Sequence, residues 1–177
     1  NCMSLNTQGI LQGYIRLYRN CANHCTYSRH AFGNNGNTVL RRRKMEYKND
    51  LILVEKKENY VGIVTLNSPP LNLNTIESME ELREVFRKIE KDSDIRVVIL
   101  TGAGLKAFNV GSDLSGFKDM AGDFRGKKFY METDMMNTIE FLPKPTICAI
   151  EGYCMGGGLE VALCCDIRIG SDESVYA

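Results

Sequence analysis

From residue 50 onward the apolar positions fall into short runs with two different periods. Residues 51–54 and 61–66 are apolar stretches of strand length. Asn59 and Tyr60 mark a turn between them, so the pattern predicts a hairpin of two strands. Ser68-Pro69-Pro70 ends the second strand. Met79, Leu82, Val85, Phe86 and Ile89 then recur at intervals of three and four, the spacing of a helix with one buried face. Asn74 is its expected N-cap, with Glu77 at capping-box distance. Residues 95–100 are apolar apart from Arg96, the pattern of a strand covered on both faces. Residues 124–142 carry Met131, Met135, Ile139 and Leu142 on one stripe and predict a second helix, stopped by Pro143 and Pro145. Residues 146–150 form another buried strand. Gly156-Gly157-Gly158 opens a short helix over 159–165, and residues 167–169 are again strand-like. Strands and helices alternate, so the fold class is α/β, with helices covering a sheet.

The first 44 residues break this pattern. No period of 3.6 or 2 persists there, Gly9 and Gly13 weaken the one short helical stretch, and residues 33–37 are glycine and asparagine only apart from their spacing role in a loop. Composition sharpens the boundary. The chain has 177 residues, 44% apolar and 25% charged, which is ordinary for a globular protein and ends any collagen-like or low-complexity reading. Its net charge of zero divides unevenly. Residues 1–44 hold seven basic residues and no acid, whereas 45–177 hold 15 basic against 22 acidic residues, a net of −7. We read 1–44 as a basic leader outside the fold, with Met45 placed where a start would suit. A mitochondrial transit peptide is the alternative. A metal knuckle from Cys21, His24, Cys25 and His30 lacks the paired spacings of zinc sites. No apolar run reaches the ~18 residues of a membrane span, and balanced charge excludes a strongly basic nucleic-acid binder.

Several motifs carry candidate chemistry. Gly102-Ala103-Gly104-Leu105-Lys106-Ala107 matches a dinucleotide fingerprint, but that fingerprint needs a helix at once, and Asn109-Val110-Gly111-Ser112-Asp113 interrupts. Ser112 lacks the second glycine of a nucleophile elbow, and both histidines lie in the leader, so no serine triad assembles. Cys148, Cys154, Cys164 and Cys165 form no paired motif and read as small buried hydrophobes. Residues 145–160 are more informative: strand, tight turn, then three glycines opening a helix. Glycine lets a ligand approach the backbone, and free N–H donors at a helix start suit an oxyanion. Glu160 rises from the first turn, either as a partner of the helix dipole or as a general acid/base. Residues 107–114 form a glycine-bearing loop after a buried strand. Two such loops could aim two N–H groups at one carbonyl oxygen.

Taken together these stretches resemble the crotonase superfamily, the enoyl-CoA hydratase/isomerase family. The resemblance runs from about Tyr47 to Ala177. It rests on the strand pair, the loop from Ser68 to Asn74 with its helix, Val97 to Gly102, Ala107-Phe108 with Gly111-Ser112-Asp113, Lys144-Pro145, Glu151-Gly152-Tyr153, Gly156 to Glu160, and Cys165-Asp166-Ile167-Arg168. It implies a spiral of ββα units (the ClpP/crotonase-like fold) for residues 45–177, associating as trimers or pairs of trimers. It also implies an acyl-CoA thioester substrate with no further cofactor, no metal, no nucleic acid and no membrane.

By the same resemblance the oxyanion-hole N–H groups fall on Ser112 and Gly157, and Glu160 matches one of two catalytic glutamates of the hydratases. Pro70, Leu71, Leu73, Ala107, Phe108, Gly111, Asp113 and Gly156 line the CoA and substrate path. Phe117, Met120, Phe124 and Met131 fall where the family shapes its acyl pocket, although core packing explains them as well. Asn109-Val110 replaces two small residues. The second glutamate belongs a few residues past Ala177, so the resemblance covers about half of a domain and leaves its C-terminal part missing. The expected activity is hydration of a 2-enoyl-CoA, a lyase reaction of fatty acid metabolism in the cytoplasm, or in the mitochondrial matrix if 1–44 is a transit peptide. The alternatives are another crotonase reaction (isomerisation, dehydration or decarboxylation), or an acyl-CoA binder or inactive fragment.

Overall fold

The chain reverses at Asn59 and Tyr60, whose φ angles of 70° and 67° are left-handed, and so folds strand β1 (Ile52–Lys57) antiparallel onto β2 (Val61–Leu66). The computed structural model describes residues 50–57, 59–115 and 125–177. The leader, the knuckle residues and Phe117, Met120 and Phe124 lie outside these described residues. From β2 onward every strand pairing is parallel. The five-stranded sheet has the order β1-β2-β3-β5-β7, with β3 at Val97–Gly102, β5 at Thr146–Ile150 and β7 at Ile167–Gly170. A second sheet has the order β4-β6-β8, from Ala107–Asn109, Tyr153–Cys154 and Val175–Tyr176.

Alternation along the strands explains why the large sheet is apolar on both faces. Val98 and Leu100 of β3 and Cys148 and Ile150 of β5 enter the main core, while Val97, Ile99 and Ala149 join Val61 and Ile63 in a second cluster on the other face. Helix α1 (Ile76–Lys91) covers the main core with Met79, Leu82, Val85, Phe86 and Ile89, all buried as their spacing predicts. Each such side chain contributes about 1.5–3 kcal/mol as an upper bound. A π-helical turn, Arg125–Phe129, leads into α2 (Tyr130–Glu140), which buries Met135 and Ile139 on the same core. Helix α3 (Gly157–Leu163) is a short third helix.

The order of elements repeats. A strand of the large sheet, a strand of the small sheet and a helix follow one another as β3-β4-α2 and again as β5-β6-α3, and β7-β8 begins a further turn. The first turn is β2, then Asn74, then α1. Asn74 makes a single isolated parallel bridge to Ser112, just past the end of β4. This is the ββα spiral of the crotonase fold.

Two expectations are corrected. The N-cap of α1 is Thr75, whose side chain accepts from Ser78 N while Ser78 Oγ accepts from Thr75 N. Asn74 is engaged in the bridge to Ser112 and so is not free to cap. Ala107–Asn109, expected as loop, is strand β4. Its three residues are buried on both faces, too few for any period to register.

Candidate active site

The loops after β4 and β6 meet because their strands run parallel and adjacent. Gly111, at φ 87°, stands at the contact: a Cβ there would lie 3.0 Å from Gly157 N and 3.2 Å from Met155 O. The approach is closer still at Gly158, where a Cβ would come within 2.2 Å of Asn109 O. Glycine at both positions is therefore a requirement of two backbones in contact.

Ser112 is held in register by Asn74. The Asn74 N–H donates to Gly111 O at 2.8 Å and the Asp113 N–H donates to Asn74 O at 3.0 Å. Residues 111 and 113 thus spend their groups on the Asn74 side, which turns the Ser112 N–H to the opposite edge. Neither the Ser112 N–H nor the Gly157 N–H donates to a protein acceptor among the described residues. The Glu160 carboxylate lies near Gly157. Its Oε2 is 3.8 Å from the point where a Gly157 Cβ would stand. Gly156 precedes this turn at φ 51° with nothing within 4 Å of its missing Cβ.

A buried amide relay ties the two loops together. Gly111 N donates to Asn109 Oδ1 at 2.7 Å, Asn109 Nδ2 donates to Asn74 Oδ1 at 2.7 Å, and Met155 N donates to Asn109 O at 3.0 Å. Because a backbone N–H only donates, the Asn109 amide has one possible orientation, and it fixes that of Asn74 in turn. Asn74 Nδ2 remains buried without a partner among the described residues. It lies 3.2 Å from the Gly157 Cβ position.

The other expected residues are arranged around this centre. Pro70 is exposed, and Leu71 and Leu73 are half-buried. Their loop is pinned by Asn72, which accepts from Ser68 N at 3.0 Å and donates to Ala103 O at 3.0 Å and Ala107 O at 2.8 Å. Ala107 is buried, and Phe108 has no exposed surface and packs in the main core, so its ring supports the strand. The Asp113 carboxyl is held below the usual carboxylate range by hydrogen bonds from the Ser115 side chain and backbone. Residues 103–106 are turn, followed by strand, so no helix follows the Gly102-x-Gly104 motif.

Two groups that the sequence does not single out also face this centre. Lys128 Nζ donates to Ser112 Oγ at 2.8 Å, and Ser112 Oγ donates to Glu132 Oε1 at 3.0 Å. Lys128 and Glu132 pair at 3.0 Å, with side chains only 7% and 13% exposed. The cysteines stay apart from the site chemistry. Burial pushes the Cys154 and Cys164 thiols up to about 11 and the Cys148 thiol higher still. Among the described residues no group of three or more His, Cys, Asp or Glu is placed to hold a metal, and no helix is long and apolar enough to cross a membrane.

The spiral is that of the crotonase fold, and the comparisons with known proteins agree on fold and family. The family model described as enoyl-CoA hydratase/isomerase matches residues 56–177, and the chain belongs to that family. It is 41% identical over 130 residues to the short-chain-enoyl-CoA hydratase of Clostridium acetobutylicum, covering 72% of this chain and 49% of the relative. It is 39% identical over 130 residues to the (E)-benzylidenesuccinyl-CoA hydratase of Thauera aromatica, covering 67% and 46%. Among solved structures, DspI of Pseudomonas aeruginosa matches with a TM-score of 0.71 at 32% identity over 77% of this chain and 52% of that one. An enoyl-CoA hydratase/carnithine racemase from Magnetospirillum magneticum matches at 0.67 and 37%, over 73% and 49%. The chain spans about half the length of the curated relatives it matches.

Proposed function

We propose that the full protein hydrates a 2-enoyl-CoA through a thioester enolate. What supports this reading is the close approach of the Gly111-Ser112 loop to Gly157, the lack of a described acceptor for the Ser112 and Gly157 N–H groups, and the Glu160 carboxylate near Gly157. In the proposed reaction Glu160 takes a proton from water as the water oxygen bonds to C3. The C2–C3 π electrons move onto the thioester oxygen, where the two N–H groups hold the developing charge. A second acid then delivers a proton to C2, and the net change is addition of H and OH across the double bond. A donor of this kind is worth on the order of 10²–10³ in rate.

The substrate carries its own coenzyme A, so the chemistry calls for no further cofactor. The CoA arm runs past Pro70, Leu71 and Leu73 and the Ala107 strand, and we place Gly111, Asp113 and Gly156 along the same path. We propose a homotrimer or a pair of trimers for the assembled protein. Loss of the enoyl absorbance of crotonyl-CoA on mixing with the full chain tests the reading. Loss of absorbance with formation of the 3-hydroxyacyl ester supports it. Unchanged crotonyl-CoA, together with conversion of a 3-enoyl to a 2-enoyl ester, would assign isomerisation instead.

A further inference from the structure

We propose that Lys128 and Glu132 are positioning residues of the oxyanion hole, clamping the Ser112 side chain so that the Ser112 N–H stays aimed at the thioester oxygen. The inference rests on the oxyanion-hole reading above. It starts from a closed ring of contacts: Lys128 Nζ to Ser112 Oγ at 2.8 Å, Ser112 Oγ to Glu132 Oε1 at 3.0 Å, and Lys128 Nζ to Glu132 Oε1 at 3.0 Å. Both charged side chains are almost wholly withdrawn from solvent, at 7% and 13% exposure. A buried ion pair is a poor way to gain stability, because an apolar pair of similar volume often holds a fold as well or better. The placement of the pair therefore calls for another role.

That role follows from what Ser112 already has. Asn74 fixes its flanking backbone through Gly111 O and the Asp113 N–H, but it leaves the Ser112 torsions between those two points to be set from the other side. Gripping Oγ from two directions sets χ1, and Oγ is three bonds from the backbone nitrogen. The π-helical turn Arg125–Phe129 runs directly into α2 and carries Lys128, one turn ahead of Glu132. Such turns occur often at functional sites. Oxyanion donors act by being held in place before charge develops, and misplacement by about 1 Å can cost up to about 10²-fold.

The test uses the full chain and two readouts: steady-state hydration of crotonyl-CoA, and the infrared carbonyl band of bound butyryl-CoA, which cannot be hydrated. The principal variant is the double change Lys128→Met with Glu132→Leu, which avoids stranding one buried charge. Ser112→Ala, which keeps the backbone N–H and removes the gripped oxygen, is the second. In the wild type the carbonyl band moves to lower frequency on binding. Both variants should lose much of that shift and lower kcat by roughly 10-fold with KM within about threefold, a loss confined to the transition state. Combining them should add little, since they break one device. A double variant that folds and keeps the full band shift and kcat overturns the proposal and makes the pair a packing feature. No band shift in the wild type would instead overturn the oxyanion hole itself, and this inference with it.

Discussion

Gly111 shows how much of the site is decided by a missing side chain. Its φ of 87° suits glycine, and a Cβ would press to 3.0 Å on the Gly157 nitrogen. Gly111→Ala should destabilise by about 1–2 kcal/mol from the left-handed backbone alone. By displacing the Gly157 N–H it should also lower hydration towards the 10²–10³-fold typical of a lost donor. Thermal unfolding and kcat on crotonyl-CoA check the two effects separately. The thiols make the opposite case. With Cys154 pushed up to about 11 by burial, it stays protonated at neutral pH. Native protein at pH 7.5 should therefore leave Cys154 unmodified by iodoacetamide over times that label it fully after unfolding; mass spectrometry of the peptide decides.

At the scale of elements, the ends of α1 and α3 are held by cations. Lys144, in the turn before β5, donates to Ile89 O and, at 2.7 Å, to Asp92 O at the end of α1. Lys144→Met removes both charge-assisted bonds and leaves Ile89 O and Asp92 O with only their backbone donors, the Asp92 and Ile95 N–H groups, at a cost of about 1–3 kcal/mol, measurable by urea unfolding. Arg168 does the same for α3 through Ala162 O, Leu163 O and Cys165 O. The Lys144-Pro145 and Asp166-Ile167-Arg168 signatures thus have a structural meaning: Asp166 Oδ2 receives both the Thr146 N–H and the Thr146 hydroxyl. The strands of the large sheet and the face of α1 were legible in the apolar periods, because each spans at least four residues or several turns. Strands β4, β6 and β8 were not, since two or three residues carry no period. At the site, Ser112, Gly157 and Glu160 stood out through glycine spacing and the family resemblance. Asn72, Asn74, Asn109, Lys128 and Glu132 did not, because their roles exist only in contacts between distant segments. The shift of the helix cap from Asn74 to Thr75 has the same origin: local spacing allowed both, and the bridge to Ser112 decided.

For the whole molecule, Asp92 is the junction where β1, the end of α1 and the approach to β5 are joined. Burial raises its carboxyl, but the Lys56 ammonium, the Asp94 N–H at 2.9 Å and the nearby Lys144 charge outweigh it, so it sits below the usual carboxylate range. A depressed carboxyl stabilises the fold above the ordinary carboxylate pKa of about 3.9, and that contribution is lost as pH falls through the lower folded value. Wild type should exceed Asp92→Asn in stability at pH 6, with the gap closing towards pH 2; thermal melts across that range test it. The charge of the chain also reads differently at this scale. The net of −7 over residues 45–177 belongs to the segment that holds the spiral, so under the proposed function the phosphates of a CoA ester would be met by local cations against an acidic background. The central claim is that Glu160, near Gly157, moves the protons of hydration. Its most direct measurement is Glu160→Gln in the full chain, assayed by crotonyl-CoA hydration and by binding of butyryl-CoA. The account predicts a fall in kcat of about 10²–10⁴-fold with ester binding retained. Hydration near the wild-type rate would contradict it and leave Glu160 as no more than an acidic residue in the first turn of α3.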